Sequence, residues 1–253
     1  MDNAGRTIHN IAVLIPAYQP GGELAALAAE LAELGFAEVL VVDDGSDAKC
    51  AEVFEKAAAA DGCRVLHLGA NRGKGAALKA GFAELLAGEP RPAGCVTADA
   101  DGQHLPADIH KLAAELVNHP DSLILGVRDF LRDDVPSRSK TGNDITRVVF
   151  KLLTGRRVSD TQTGLRAIPA AMMRQYGCIA GNRYDFEMNM LIEAARDGAD
   201  IIETPITTVY HDNNSSSHFN ALWDSIRIYA HILRYFVTKA FVRKRRKILD
   251  FTP

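Results

Sequence analysis

The chain reads as an α/β protein built on a mostly parallel sheet with helices on both faces. Three observations carry that reading. Short β-branched runs alternate five times with Ala- and Leu-rich stretches of helical spacing across residues 11–127. The strand runs (IAVLIP, EVLVV, LILGV) are almost continuously apolar, as strands covered on both faces are. The composition, 47% hydrophobic and 24% charged over 253 residues, supplies apolar material for a full core and too little charge for a disordered chain.

In order, residues 11–16 form the first strand and residues 23–34 the first helix. Strand 38–42, helix 48–60, strand 64–68 and helix 75–86 follow. Strand 94–98 leads to helix 106–118, where Pro106 suits the first helical position because its missing N–H has no partner there. Residues 123–127 are the fifth strand. The second half is less regular. Residues 129–140 are polar and charged and read as a long loop; helix 145–153 ends at Gly155, a suitable C-cap. A short strand over 165–168 precedes helix 184–196. Segments 201–204 and 206–210 flank Pro205, which cannot donate to a ladder, and read as edge strands. A polar loop over 211–220 leads into an amphipathic helical tail. This divides the chain into a main domain, residues 1–215, and a basic helical tail, residues 216–253, with no internal repeat.

Lys plus Arg total 29 against 32 for Asp plus Glu, a net charge of −3, which excludes a generic nucleic-acid binder with an overall basic field. Cys50, Cys63, Cys95 and Cys178 include no C-x-x-C pair and read as small buried hydrophobes in a reducing compartment. No signal-peptide core and no run of about 18 apolar residues is present, so a cytoplasmic protein, soluble or peripheral on the inner face of the membrane, is expected.

Ligands of open parallel sheets bind beyond the carboxyl ends of the strands. There the sequence places Pro16-Ala17-Tyr18, Asp43-Asp44-Gly45-Ser46, Asn71-Arg72-Gly73-Lys74-Gly75 and Asp99-Ala100-Asp101-Gly102-Gln103. Asp99 and Asp101, two residues apart on an extended exit, point to one side; hard carboxylates suit Mg2+ or Mn2+ sharing a ligand diphosphate, with Gln103 adding a neutral oxygen. Lys74, at a helix N-terminus after glycines, favours an anion. The spacing is neither a Walker A loop nor G-x-G-x-x-G. Asp43 and Asp44 can accept from a base or ribose and suit uracil and guanine equally; the other use of such acids is a helix N-cap, which Asp47 could serve instead.

These four segments, in this order and spacing, resemble glycosyltransferase family 2, and within it the dolichol-phosphate mannosyltransferase and polyprenyl-phosphate glycosyltransferase group. The resemblance covers roughly residues 10–210. It implies a GT-A fold with a Rossmann-like sheet, a nucleoside-diphosphate sugar donor (GDP- or UDP-linked) and a divalent metal, Mg2+ or Mn2+. By resemblance, Pro16, Ala17, Tyr18, Asp43, Asp44, Lys74, Asp99 and Asp101 bind donor, and Asp99, Asp101 and Gln103 hold metal. Asp160-Thr161-Gln162-Thr163-Gly164-Leu165-Arg166 resembles the group's Asp-x-x-Ser-Gly-Phe-Arg segment, with Thr163 for Ser and Leu165 for Phe. Asp160, with Asp101, is thereby a candidate catalytic carboxylate. Arg128, Arg138, Thr163 and Arg166 are candidates for the acceptor phosphate, which a guanidinium fork suits. Glu187 lies near the acceptor or packs structurally. His211 reads either as a metal or phosphate contact or as part of a polar linker.

In the tail, Asp224, Arg227, Arg234 and Lys239 interrupt the apolar residues, which disfavours a span. The basic run 243–247 fits an anionic leaflet surface, or the solvated end of a helix packed on protein. The expected reaction is inverting, metal-dependent transfer of a sugar to a polyprenyl (dolichyl or undecaprenyl) phosphate. The alternatives are a soluble transferase acting on a saccharide hydroxyl and a non-catalytic nucleotide-sugar-binding scaffold. A nucleotidyltransferase would need a basic loop after the first strand, where Ala17-Tyr18-Gln19-Pro20-Gly21-Gly22 stands. Homo-oligomerisation is left open.

Overall fold

The structure, a computed structural model, describes residues 7–130 and 140–207 in full and the backbone of residues 137–139. Among the described residues the sheet has seven strands: β1 (Ile11–Ala17), β2 (Val39–Asp43), β3 (Cys63–His67), β4 (Gly94–Thr97), β5 (Leu123–Val127), β6 (Arg166–Pro169) and β7 (Ile201–Pro205). They lie in the order β3-β2-β1-β4-β6-β5-β7, parallel except where β6 pairs antiparallel with β4 and β5. The apolar runs at β1, β2, β4 and β5 are buried along their whole length; the outer strands β3 and β7 are only partly covered.

Helices α1 (Glu23–Ala32), α2 (Ala51–Ala58) and α4 (Pro106–Asn118) cover one face. Helices α3 (Lys74–Ala87), α5 (Ser137–Thr154), α6 (Ala170–Tyr176) and α7 (Asp185–Arg196) cover the other. The two-residue period of a strand divides the core: along β1, Val13 and Ile15 join the first layer and Leu14 the second. Helix α3 crosses β1 at Gly81, where a Cβ would stand 2.3 Å from Leu14 Cδ1; only the missing side chain permits that approach.

The chain runs outward from β1 through β2 to β3, then returns to lay β4 on the other flank of β1. That reversal opens a crevice at the carboxyl ends of β1 and β4. Ala17 is in register with Asp43, and Leu14 with Thr97, so the segments leaving β1, β2 and β4 share one rim.

The structure differs from the sequence reading in four places. Helix α5 starts at Ser137, inside the expected loop. Its first turns bury the polar residues Asn143 and Thr146 and leave Ile145, Val148 and Leu152 exposed, so an apolar period does not report its inner face. Helix α6 is too short to show a period. Pro205 ends β7, with Ile206 and Thr207 outside any strand. Of the free cysteines, Cys50 and Cys95 are buried as expected, but Cys63 is half-buried and Cys178 exposed. The 215/216 domain boundary, Tyr210, His211 and the basic tail lie outside the described residues. No described helix is long and apolar enough to cross a membrane.

Phe82 on α3 is 1% exposed, and its ring centroid lies 6.3 Å from that of Phe186 on α7. Phe82→Ala is expected to lower unfolding free energy by about 3–5 kcal/mol, read by denaturant titration.

Candidate active site

The paired acids after β2 divide between two tasks. Asp43 accepts from the Ser46 backbone N–H (2.8 Å) and meets His67 Nδ1 at 2.8 Å. Burial works against its charge, but the bonds from His67 and Ser46 outweigh that and hold its carboxyl below the usual range. Asp44, 2% exposed, instead accepts the backbone N–H groups of Arg72 (2.8 Å) and Gly73 (2.7 Å). Its oxygens anchor the loop that carries Lys74. Gly45 makes the turn possible: φ is +75°, and a Cβ would stand 2.3 Å from the Ala70 carbonyl carbon. Asp47 makes no side-chain cap. Pro16 and Ala17 are buried in β1, and the Ala17 carbonyl accepts the Asp44 N–H (2.8 Å); of the three, Tyr18 reaches the surface.

Lys74, the first residue of α3, is turned inward. Its Nζ lies 2.6 Å from Asp99 Oδ1 and 3.1 Å from Glu187 Oε2 on α7. Burial opposes the ammonium, yet the two carboxylates overcome it and push the Lys74 pKa up. In return, Lys74 and His104 outweigh burial at Asp99 and hold its carboxyl at about 2. Asp101 goes the other way: burial and the Asp99 charge push it up to about 6. The Asp99 N–H donates to His104 Nδ1 (3.0 Å), which fixes Nε2 as the protonated nitrogen, and burial pushes the His104 pKa down. Gly164 walls this cluster, since a Cβ there would lie 2.6 Å from Asp99 Oδ2 and 2.9 Å from Lys74 Nζ.

Beyond β5, Arg128 forms a forked pair with Asp160: Nε to Oδ2 at 2.6 Å and Nη2 to Oδ1 at 3.0 Å. Asp160 is 0% exposed and also accepts the Gln162 N–H (3.0 Å). The flanking loop hangs on α5, where Asn143 Nδ2 donates to the Ser159 carbonyl (2.8 Å), Asn143 Oδ1 accepts the Thr161 N–H (3.1 Å), and the Thr146 and Thr161 hydroxyls meet at 2.5 Å.

Two of the residues expected at the acceptor phosphate, Arg166 and Thr163, face inward. Arg166 is 1% exposed and spends its donors on the backbone carbonyls of Thr163 (3.0 Å) and Glu187 (2.6 Å), so it is a buried brace. Thr163, 2% exposed, accepts the Leu165 N–H (3.2 Å) in a local turn. Arg138 belongs to α5 by its backbone; its side chain lies outside the described residues.

The crevice thus gathers Tyr18, Asp43, Lys74, Asp99 and Asp101 on the rim, with Arg128 and Asp160 beyond them. His67, His104, Asn143 and Thr146 were not picked out from the sequence. His104 follows Gln103 directly and was within reach of a motif reading; the other three are placed by tertiary contact alone. Among the described residues, no cluster of three or more His, Cys, Asp or Glu side chains could hold a metal by itself. The donor set still fits a hard divalent cation, because Asp99 and Asp101 bring two hard carboxylates together at the exit of β4. Phosphate oxygens and water would complete its coordination.

A mostly parallel sheet with acids and a lysine at its switch point has the layout of an α/β protein that binds its ligand beyond the carboxyl ends of its strands. Residues 12–186 match Glycosyl transferase family 2, and the chain belongs to that family. It is a glycosyltransferase of GT-A fold. It is 31% identical over 216 residues to the undecaprenyl-phosphate mannosyltransferase of Micrococcus luteus, covering 81% of this chain and 86% of that one. It is 32% identical over 133 residues to the UDP-N-acetylglucosamine–dolichyl-phosphate N-acetylglucosaminyltransferase of Methanococcus voltae, over 50% of this chain and 52% of that one. The fold resembles that of glucosyl-3-phosphoglycerate synthase from Mycobacterium tuberculosis, solved with Mn2+, UDP-glucose and phosphoglyceric acid: TM-score 0.67, 19% identity, 92% of this chain and 80% of that one.

Gly164→Ala is expected to push Asp99 and Lys74 apart, cut activity at least tenfold and lower unfolding free energy by about 1–3 kcal/mol, checked by kinetics beside a denaturant titration. In the metal-free protein, the raised Asp101 carboxyl binds a proton more tightly folded than unfolded. The stability that Asp101 contributes is therefore lost as pH rises from about 4 to 6. Asp101→Asn is expected to match wild type below that window and to exceed it above, read by denaturation across pH.

Proposed function

We propose that the protein transfers a sugar from a nucleoside-diphosphate donor to a polyprenyl phosphate, with a divalent cation at Asp99 and Asp101. The observation that carries the acceptor class is the state of Asp160. It is fully buried and its oxygens are committed to Arg128 and Gln162, a poor arrangement for a base that must take a proton from a hydroxyl. A phosphate monoester is already ionised near neutral pH and needs no such base. Arg128, held in orientation by Asp160, would receive that phosphate. Relatives named for undecaprenyl and dolichyl phosphate support the same acceptor. So does the exposed apolar stripe Ile145, Val148 and Leu152 on α5, a surface suited to isoprene or leaflet. The basic run 243–247 adds a sequence feature suited to an anionic membrane surface.

Tyr18 and Asp43 would hold the nucleoside, and the Lys74 cluster would lie beneath the diphosphate. The cation would supply neutralisation of the charge that develops on the leaving diphosphate. The acceptor phosphate oxygen forms a bond to the anomeric carbon as the bond to the donor β-phosphate oxygen breaks, and the electron pair leaves with the nucleoside diphosphate. Attack from the opposite face inverts the centre. No proton is removed by the protein.

The test is transfer of labelled sugar from UDP- and GDP-sugars to short polyprenyl phosphates, with Mn2+, Mg2+ or EDTA, beside a neutral saccharide acceptor. Lipid-phosphate product that needs metal is expected. Asp101→Ala should lose at least about 100-fold in kcat/KM, and Arg128→Ala should act chiefly on the acceptor KM. Transfer to the saccharide alone would assign the acceptor to the hydroxyl class.

A further inference from the structure

We propose that Lys74 is a counter-ion handed from Asp99 to Glu187 when a divalent cation enters, which makes Glu187 the positioning residue that lets the site load. The inference rests on the metal reading of Asp99 and Asp101 given above. The ammonium sits 2.6 Å from Asp99 Oδ1, on the carboxylate that would hold the cation. Two cations on one carboxylate repel, which favours moving the ammonium onto its second partner. Its second contact, Glu187 Oε2, is already at 3.1 Å. The other oxygen of the same carboxylate, Oε1, is buried with no hydrogen-bond partner. A buried carboxylate oxygen left without a donor is costly, and here the missing donor lies one short ammonium swing away. Lysine carries three rotatable donors on a flexible stem, so it can turn wholly onto Glu187.

The surroundings favour lysine as the moving partner. Glu187 is fixed through its backbone carbonyl, which accepts Arg166 Nη1 at 2.6 Å from a buried guanidinium. Gly164 leaves no side chain between Lys74 and Asp99. The Tyr184 ring, with its centroid 6.0 Å from Nζ, lies alongside the ammonium. Asp99 is thereby kept neutralised before loading and released during it, with Glu187 as the receiving site.

Mn2+ binding, followed by the electron paramagnetic resonance of free Mn2+ with and without saturating UDP or GDP, tests the hand-over apart from activity. Glu187→Gln is expected to weaken Mn2+ binding about tenfold, because Lys74 then stays on Asp99. Glu187→Asp keeps the charge but withdraws the carboxylate by one methylene, and is expected to weaken binding similarly. Adding Lys74→Met to Glu187→Gln removes the competing ammonium and should restore affinity. Wild-type affinity in Glu187→Asp, or a double variant weaker than Glu187→Gln, overturns the proposal. A structure of the wild-type protein with Mn2+ needs no variant: Nζ should lie within hydrogen-bond distance of both Glu187 oxygens, and Nζ still on Asp99 Oδ1 overturns it. If wild type binds no Mn2+ in any condition, the metal reading itself falls, and the hand-over with it.

Discussion

The ammonium of Lys74, buried between Asp99 and Glu187, is the contact on which the rest of the crevice depends. It joins the exit of β4, the start of α3 and the first turn of α7, three elements far apart in sequence. A buried lysine of this kind is tolerable only with carboxylates around it, and the carboxylates only with a cation among them. Asp44 makes the arrangement rigid from below. By accepting the N–H groups of Arg72 and Gly73 it fixes the loop from which Lys74 projects, and the turn at Gly45 brings that loop within reach.

Environment, rather than residue type, assigns the acids of this site their separate tasks. Asp43 is held ionised by His67 and Ser46, and Asp44 is spent on backbone. Asp99 is neutralised by lysine, whereas Asp101 carries the repulsion left over, and Asp160 is locked to arginine. A divalent cation and a diphosphate would meet this charge pattern with few groups needing to move. The surroundings of Arg128 and Asp160 are built differently. There a polar face of α5, through Asn143 and Thr146, holds the loop that carries Asp160, and this buried network sets the direction of Arg128. Residues 12–186, which match Glycosyl transferase family 2, include both of these networks.

Much of the first half was legible in the sequence, because strands buried on both faces must be apolar throughout and their ends must change abruptly to polar residues. The runs at residues 11–16, 38–42 and 123–127 announce β1, β2 and β5, and the acids that follow residues 38–42 and 94–98 announce the rim. The same logic fails at α5. On its inner face Asn143 and Thr146 hydrogen-bond the 159–161 loop and Phe150 enters the core, while Ile145, Val148 and Leu152 face outward. Apolar residues therefore stand on both faces of that helix, and hydrophobic periodicity misses its first turns.

The amino-acid order by itself determined the α/β class, the parallel core of the sheet, the carboxyl-end rim and the residue types gathered there, since these follow from patterns a few residues long. Only the tertiary structure decided what each polar group faces. It turned Arg166 and Thr163 inward, paired Arg128 with Asp160, and brought His67 to Asp43 and Glu187 to Lys74. Those partnerships join residues between 2 and 113 positions apart. In the longer-range ones the partner is set by packing across the sheet and its helices, which no local spacing encodes.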